Sequence, residues 1–259
     1  IWEHQPQEIP GDVHYGFAGR QVDSVQMIDA AMPPTLNPSA FTTPHATGMM
    51  LDGVRLQRGN TVVFDGLNLQ LNQPRIGLIG DNGAGKSSLF RVLCGLDEPQ
   101  TGRVLVPEGP QAVGMMFQNP DEQIIFPTVE EELALSLQHL QLTRTQAQQQ
   151  VRERLHARGL GAWATRAIGS LSQGQRQHVC WLALTWCAHE VLLLDEPFAS
   201  LDLPGQALLT QEIAKAPQQV LVSTHVLAHV RHFERVIWNT KKRQNLPAIQ
   251  ILLSRISSH

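Results

Sequence analysis

With 259 residues, 42% of them hydrophobic, the chain has enough material for one large domain or two small ones around a packed core. A net charge of −3 excludes the basic footprint by which proteins grip nucleic-acid phosphates, so no nucleic acid is expected as a partner. The longest apolar run, Val179 to Leu194, is interrupted by His189 and Glu190 and falls short of the roughly 20 residues that cross a membrane.

Three cysteines, Cys94, Cys180 and Cys187, show neither zinc-ligand spacing nor a disulfide framework. No N-terminal run has the basic start and apolar centre of a secretory signal, so a cytoplasmic location is expected, with any membrane role exercised through a partner. Residues 1–48 carry six prolines, no lysine and one arginine, Arg20, without helical or strand periodicity. They are expected to be a poorly ordered or non-native extension, the domain itself running over 49–240.

From Met50 onward short apolar or β-branched runs alternate with helical patterns, which predicts a sheet covered by helices. The first decisive run is a strand at Arg75 to Ile79, followed by Gly80-Asp81-Asn82-Gly83-Ala84-Gly85-Lys86-Ser87-Ser88 and a helix over Lys86 to Leu93. This is G-x-x-x-x-G-K-[ST] in its required strand–loop–helix context. Glycines let successive backbone N–H groups turn toward phosphate oxygens, and the helix N-terminus adds partial positive charge. Lys86 is expected to reach the β- and γ-phosphates of ATP, and the Ser87 hydroxyl to ligate Mg²⁺.

Next come a strand at Ala112 to Phe117 and a Gln-rich helical stretch from Thr128 to about Gly159, read as an inserted helical subdomain. Leu171-Ser172-Gln173-Gly174-Gln175 opens a further helix, with Ser172 suited to be its N-cap. Val191 to Leu194 is a buried strand that ends in Asp195 and Glu196. Ligands of a parallel sheet lie beyond the carboxyl ends of its strands, which puts both acids beside the phosphate loop. Asp195 then suits Mg²⁺ and Glu196 the polarisation of an attacking water, although two acids at a strand end also suit a solvated loop. A last strand, Gln219 to Ser223, precedes Thr224 and His225.

The LSQGQ run, about 20 residues before the acidic strand end, resembles the signature of ABC ATPases. The resemblance extends over roughly Met50 to Trp238. It implies that Ser172, Gly174 and Gln175 contact the γ-phosphate of ATP held by a second ATPase subunit, and that Gln118 is the Q-loop residue that helps to organise Mg²⁺ and water. It further implies that Ser200-Leu201-Asp202 is the D-loop and that His225 is the switch histidine. The implied fold is an α/β P-loop NTPase of ABC type, with a β-rich subdomain and an inserted helical subdomain. The run Gln118 to Glu132, QNPDEQIIFPTVEEE, is similar to the ATPase components of energy-coupling factor (ECF) importers of vitamins and metal ions, the biotin branch above all. Implied partners are a transmembrane T component, a substrate-binding S component and a second ATPase subunit, at the cytoplasmic face of the membrane. A cobalt or nickel importer and a non-hydrolysing nucleotide-binding subunit remain the alternatives.

Two departures stand out. Arg58 occupies the position where the family carries an aromatic ring against adenine, and its planar guanidinium is expected to stack on the base instead. Beyond Trp238 the chain lacks the glycine turn of the family. Residues 241–259 are read as a divergent segment, with a short helix from Pro247 or a poorly packed run as the expectation.

Overall fold

The computed structural model describes residues 48–109, 112–241 and 247–252, with side chains described up to Trp238. The expected N-terminal extension therefore lies, apart from Gly48, outside the described residues. Two sheets carry the fold.

The smaller sheet is antiparallel. Its strands are β1 (Met49–Arg58), β2 (Thr61–Leu71) and β4 (Thr101–Leu105), in the order β2-β1-β4. Along β1, Met49 and Leu51 point inward, and so do Val54 and Leu56, three and five positions after Leu51. A strict two-residue period would turn Val54 outward. The register shifts between Leu51 and Val54, where Gly53 takes φ +60°, and this bulge resets the alternation so that all four face one core.

The larger sheet has the order β5-β6-β7-β3-β8-β9, formed by β5 (Val113–Met116), β6 (Val191–Asp195), β7 (Gln219–Thr224), β3 (Arg75–Gly80), β8 (Arg235–Lys241) and β9 (Pro247–Leu252). All pairs are parallel except β8 with β9. Helices cover both faces, so successive strand residues enter opposite cores. Val191 and Leu193 join one core, with Leu221, Ile76 and Leu78. Leu192 and Leu194 join the other, with Val220, Val222 and Ile79.

The first core holds α1 (Lys86–Leu93), whose Leu89, Phe90 and Leu93 lie against the inward residues of β1 and β2. The second holds α2 (Val129–Leu135), α3 (Arg144–Ala157), α4 (Gln173–Trp186), α5 (Leu203–Lys215) and the short α6 (Leu227–Val230). Helices α2 and α3 form the inserted helical part, begun by Thr128 and Thr143 as N-caps. Arg152 of α3 clasps the buried Glu130 of α2 with two bonds, at 2.6 and 3.1 Å.

The segment from Pro247 corrects an expectation. It is a strand, not a helix, and pairs with β8 from Lys241↔Pro247 to Val236↔Leu252. Ile249 and Ile251 alternate with polar or small neighbours, and proline is tolerated at a strand's first residue on a sheet edge. The hydrogen bonds that β8 offers decide in favour of a strand. Among the described residues no helix is long and apolar enough to cross a membrane.

Candidate nucleotide site

The central strand β3 delivers Gly80 at its carboxyl end, and α1 starts six residues later. The loop between them turns through Gly83 at φ +74° and Gly85 at φ +98°. A Cβ at Gly85 would sit 3.1 Å from Cγ1 of Val63, so backbone conformation and space both demand glycine. No side chain caps α1 and no acid stands in its first turn. By contrast, α4 and α5 are capped by Ser172 and Asp202. The α1 N-terminus thus keeps its donors and partial positive charge for an anion.

Lys86 is buried, and its Nζ donates to the carbonyl oxygens of Gly80 at 2.7 Å and Asp81 at 3.3 Å. It also lies 3.5 Å from Oε1 of the buried Glu196. On the other side Oε2 of Glu196 is 3.0 Å from Nδ1 of His225, whose side chain is 60% exposed. One carboxylate therefore stands between a fixed cation and an imidazole that solvent or a ligand can reach.

The backbone places that carboxylate with care. Glu196 has φ +47°, a left-handed conformation that is costly outside glycine. Its N–H donates to the Ser223 carbonyl at 3.1 Å and to Ser223 Oγ at 3.2 Å. The same Ser223 hydroxyl donates to Oδ1 of Asp195. Serine at the register position opposite Asp195 thus orders both acids at once.

The donor set suits a triphosphate with Mg²⁺. Among the described residues no group of three or more His, Cys, Asp or Glu side chains could cage a metal by itself. Mg²⁺ sites on nucleotides use one or two protein ligands and let the phosphates complete the shell. Asp195, the exposed Ser87 hydroxyl and the exposed Gln118, just beyond β5, are of that kind. Ser88 is buried in α1, and Asp81, Asn82 and Ala84 complete the loop.

The signature residues stand elsewhere. Ser172 Oγ accepts the Gln175 N–H at 3.2 Å, and Gln175 Oε1 accepts the Ser172 N–H at 3.0 Å. This capping box starts α4 as its sequence suggests. A Cβ at Gly174 would meet the Ser200 carbonyl oxygen at 3.1 Å. Ser172, Gly174, Gln175, Ser200 and Leu201 line one cavity of about 490 Å³. Within one chain these residues thus gather with the 200–202 segment.

Arg58 is anchored: its guanidinium pairs with Asp97, which also takes Arg91 at 3.1 Å. Burial alone would raise the Asp97 pKa, but hydrogen bonds from Arg91 and Arg58 hold it below the usual carboxylate range. Sequence reasoning passed over Ser223, Glu132 and His229. Buried Glu132 accepts the N–H groups of Ile125 at 2.9 Å and Phe126 at 2.8 Å with one oxygen, Oε2, while Ile125 is 74% exposed. Its signal was hidden in a run of three glutamates.

A parallel sheet with a phosphate loop at the end of its central strand, and two acids at the end of a nearby strand, defines a P-loop nucleotide hydrolase. The ABC transporter family profile matches residues 64–199. The biotin transport ATP-binding protein BioM of Rhodobacter capsulatus is 42% identical over 194 residues, which are 71% of this chain and 83% of that protein. The energy-coupling factor transporter ATP-binding protein EcfA of Methanoculleus marisnigri is 36% identical over 191 residues, 68% of this chain and 69% of that protein. The solved structure of cbiO1 from Clostridium perfringens, part of the ABC transporter complex cbiONQ, has the same fold. Its TM-score is 0.64 at 22% identity, over 81% of this chain and 88% of that one. The chain belongs to the ABC transporter family.

Proposed function

We propose that this chain powers an ECF-type importer, and that the imported solute is biotin. The similarity to BioM over most of both chains supports the solute. What carries the hydrolytic reading is the position of Glu196, between Lys86 at 3.5 Å and His225 at 3.0 Å beside the phosphate loop.

In this reading the loop from Gly80 to Ser88 wraps the phosphates with backbone N–H groups, and Lys86 neutralises the β- and γ-oxygens. Ser87, Asp195 and Gln118 hold Mg²⁺, which when bound neutralises phosphate charge. Glu196 accepts the proton of the attacking water. His225 holds Glu196 through Nδ1–H and, with a proton on Nε2 as well, offers a donor to the γ-phosphate as charge develops there. Ser172, Gly174 and Gln175, exposed or half-exposed on one chain, complete the site of a second ATPase subunit. The exposed Ile125 and half-exposed Phe126 meet a transmembrane T component at the cytoplasmic face of the membrane, while an S component recognises the solute. Arg58, held by Asp97, borders the base instead of an aromatic ring.

The purified subunit should hydrolyse ATP only with Mg²⁺, and uptake of biotin by a host without other routes should require this chain with its membrane partners. Nucleotide binding without hydrolysis in the assembled complex would overturn the hydrolytic reading. Cobalt or nickel uptake in place of biotin would overturn the solute.

A further inference from the structure

Two turns must stay in register for Glu196 and His225 to meet. One follows β6 and carries Glu196, then Phe198 two residues on. The other starts at Thr224, the last residue of β7, and carries His225 and Val226 before α6. His229, on α6, touches both. Its ring lies on that of the buried Phe198, with centroids 4.2 Å apart and planes at 40°. Its Nδ1 is 3.2 Å from Oγ1 of Thr224, the buried residue just before His225.

A buried hydroxyl proton needs an acceptor, and this favours one direction for that contact. Thr224 Oγ1 already accepts the Val226 N–H at 3.1 Å, an arrangement that closes the turn around His225. Its proton is free to be donated, and Nδ1 of a neutral imidazole is the acceptor that faces it. The tautomer protonated at Nε2 satisfies that buried proton. His229 therefore completes a chain from Phe198 through its own ring and Thr224 to the turn that presents His225.

We infer that His229 is a positioning residue for ATP hydrolysis, holding the His225 turn against the Glu196 turn through Thr224 and Phe198. The inference rests on the reading that Glu196 and His225 act on ATP, and no contact of His229 with substrate is involved. The titratable groups around its ring are His225, on its own turn, and Glu196, at the end of β6. Burial is the main cause that lowers its pKa below the ordinary imidazole value, His225 adds to this and Glu196 opposes it. The ring is thus neutral at physiological pH. Protonation removes the acceptor for Thr224 and places a cation beside the His225–Glu196 pair.

The test compares parent, His229→Leu and His229→Gln in steady-state Mg-ATP hydrolysis from pH 5.5 to 8.5, with melting temperatures measured alongside. Leucine keeps apolar contact with Phe198 but offers no acceptor, whereas the Gln carbonyl offers an acceptor that does not titrate in this range. His229→Leu should lower kcat by about tenfold at pH 7.5 with KM for ATP within about twofold, the scale seen when a supporting hydrogen bond to a functional group is lost. His229→Gln should recover most of that rate, and its acid limb should lack one ionisation that the parent shows below the ordinary imidazole range. Parent-like kcat in His229→Leu with an unchanged acid limb in His229→Gln overturns the inference. So does an equal loss of kcat in both variants that follows their melting temperatures, because that is a packing effect alone. Glu196→Gln and His225→Ala, run in parallel, separate the two levels: if both retain the parent rate, the underlying reading has failed rather than the role of His229.

Discussion

Replacing Glu196 with Gln keeps the shape of the side chain and removes its charge and basicity, with two separable consequences. Loss of a general base costs a factor of roughly 10² to 10⁴ in rate, or about 3–5 kcal/mol of barrier. The second consequence concerns the nucleotide-free protein. Lys86 Nζ is buried 3.5 Å from the Glu196 carboxylate, and in the variant it keeps only the Gly80 and Asp81 carbonyls. Breaking a buried ion pair by removing one partner costs about 3–5 kcal/mol when nothing else solvates the remaining charge. With two carbonyls retained, about 1–3 kcal/mol is the appropriate range. For a domain of this size that lowers Tm by about 2–4 °C per kcal/mol. A triphosphate returns an anion to Lys86, so ATP should raise the Tm of Glu196→Gln by more than it raises that of the parent. Phosphate release, melting with and without ATP, and size-exclusion elution of the ATP-bound form measure the three effects. A variant that hydrolyses within about threefold of the parent rate refutes the assignment of Glu196 as base.

Gly85→Ala should reduce ATP affinity by more than about tenfold, because a Cβ at φ +98° is strained by about 1–2 kcal/mol and also presses on Val63; isothermal titration decides it, and parent-like affinity counts against the cradle. Glu132→Ala should leave hydrolysis by the isolated subunit within about twofold while abolishing solute uptake by the assembled importer, since it frees the Ile125 and Phe126 N–H groups and loosens the apolar knuckle; uptake at the parent rate would remove that knuckle from coupling. Burial, opposed by Glu212 and aided by Arg158, lowers the His178 pKa from its ordinary 6.5. The neutral ring's contribution to stability is thus complete above about pH 6.5 and is lost as pH falls below it, so His178→Gln should flatten the acid fall in Tm, and parallel curves would contradict this.

The parts legible in the sequence were those whose signal is local. The phosphate loop declares itself because glycines, a lysine and a strand–helix junction must be contiguous. Ser172 could be read as an N-cap because it stands directly before a helical run, and the structure adds Gln175, which closes its box three residues on. The parts hidden were those built across distance. Asp97 meets Arg58 from 39 positions away, and nothing near Arg58 announces that its guanidinium is already engaged. Ser223 orders Asp195 and Glu196 from the neighbouring strand, so its value appears only once the register is known. His229 looks like any histidine on a short helix until Phe198 and Thr224 are seen on either side of it. The strand at Pro247 escaped for the same reason, since an isolated PAIQIL run lacks the edge that completes it.

The central place of β3 also sets a timetable for synthesis. Its flanking strands are β7 and β8, which begin only at Gln219 and Arg235, and Gln219 secures the β3 approach through the Leu71 carbonyl 148 residues earlier in the chain. At about 5–20 residues per second, the phosphate-loop strand is synthesised roughly 7–30 seconds before either neighbour. The β1–β2 hairpin can form early, while β3, buried in the fold along five of its six residues, has to wait unpaired. Nascent chains halted before Gln219 should therefore display an intact nucleotide motif without nucleotide affinity, and should depend on chaperones through that interval.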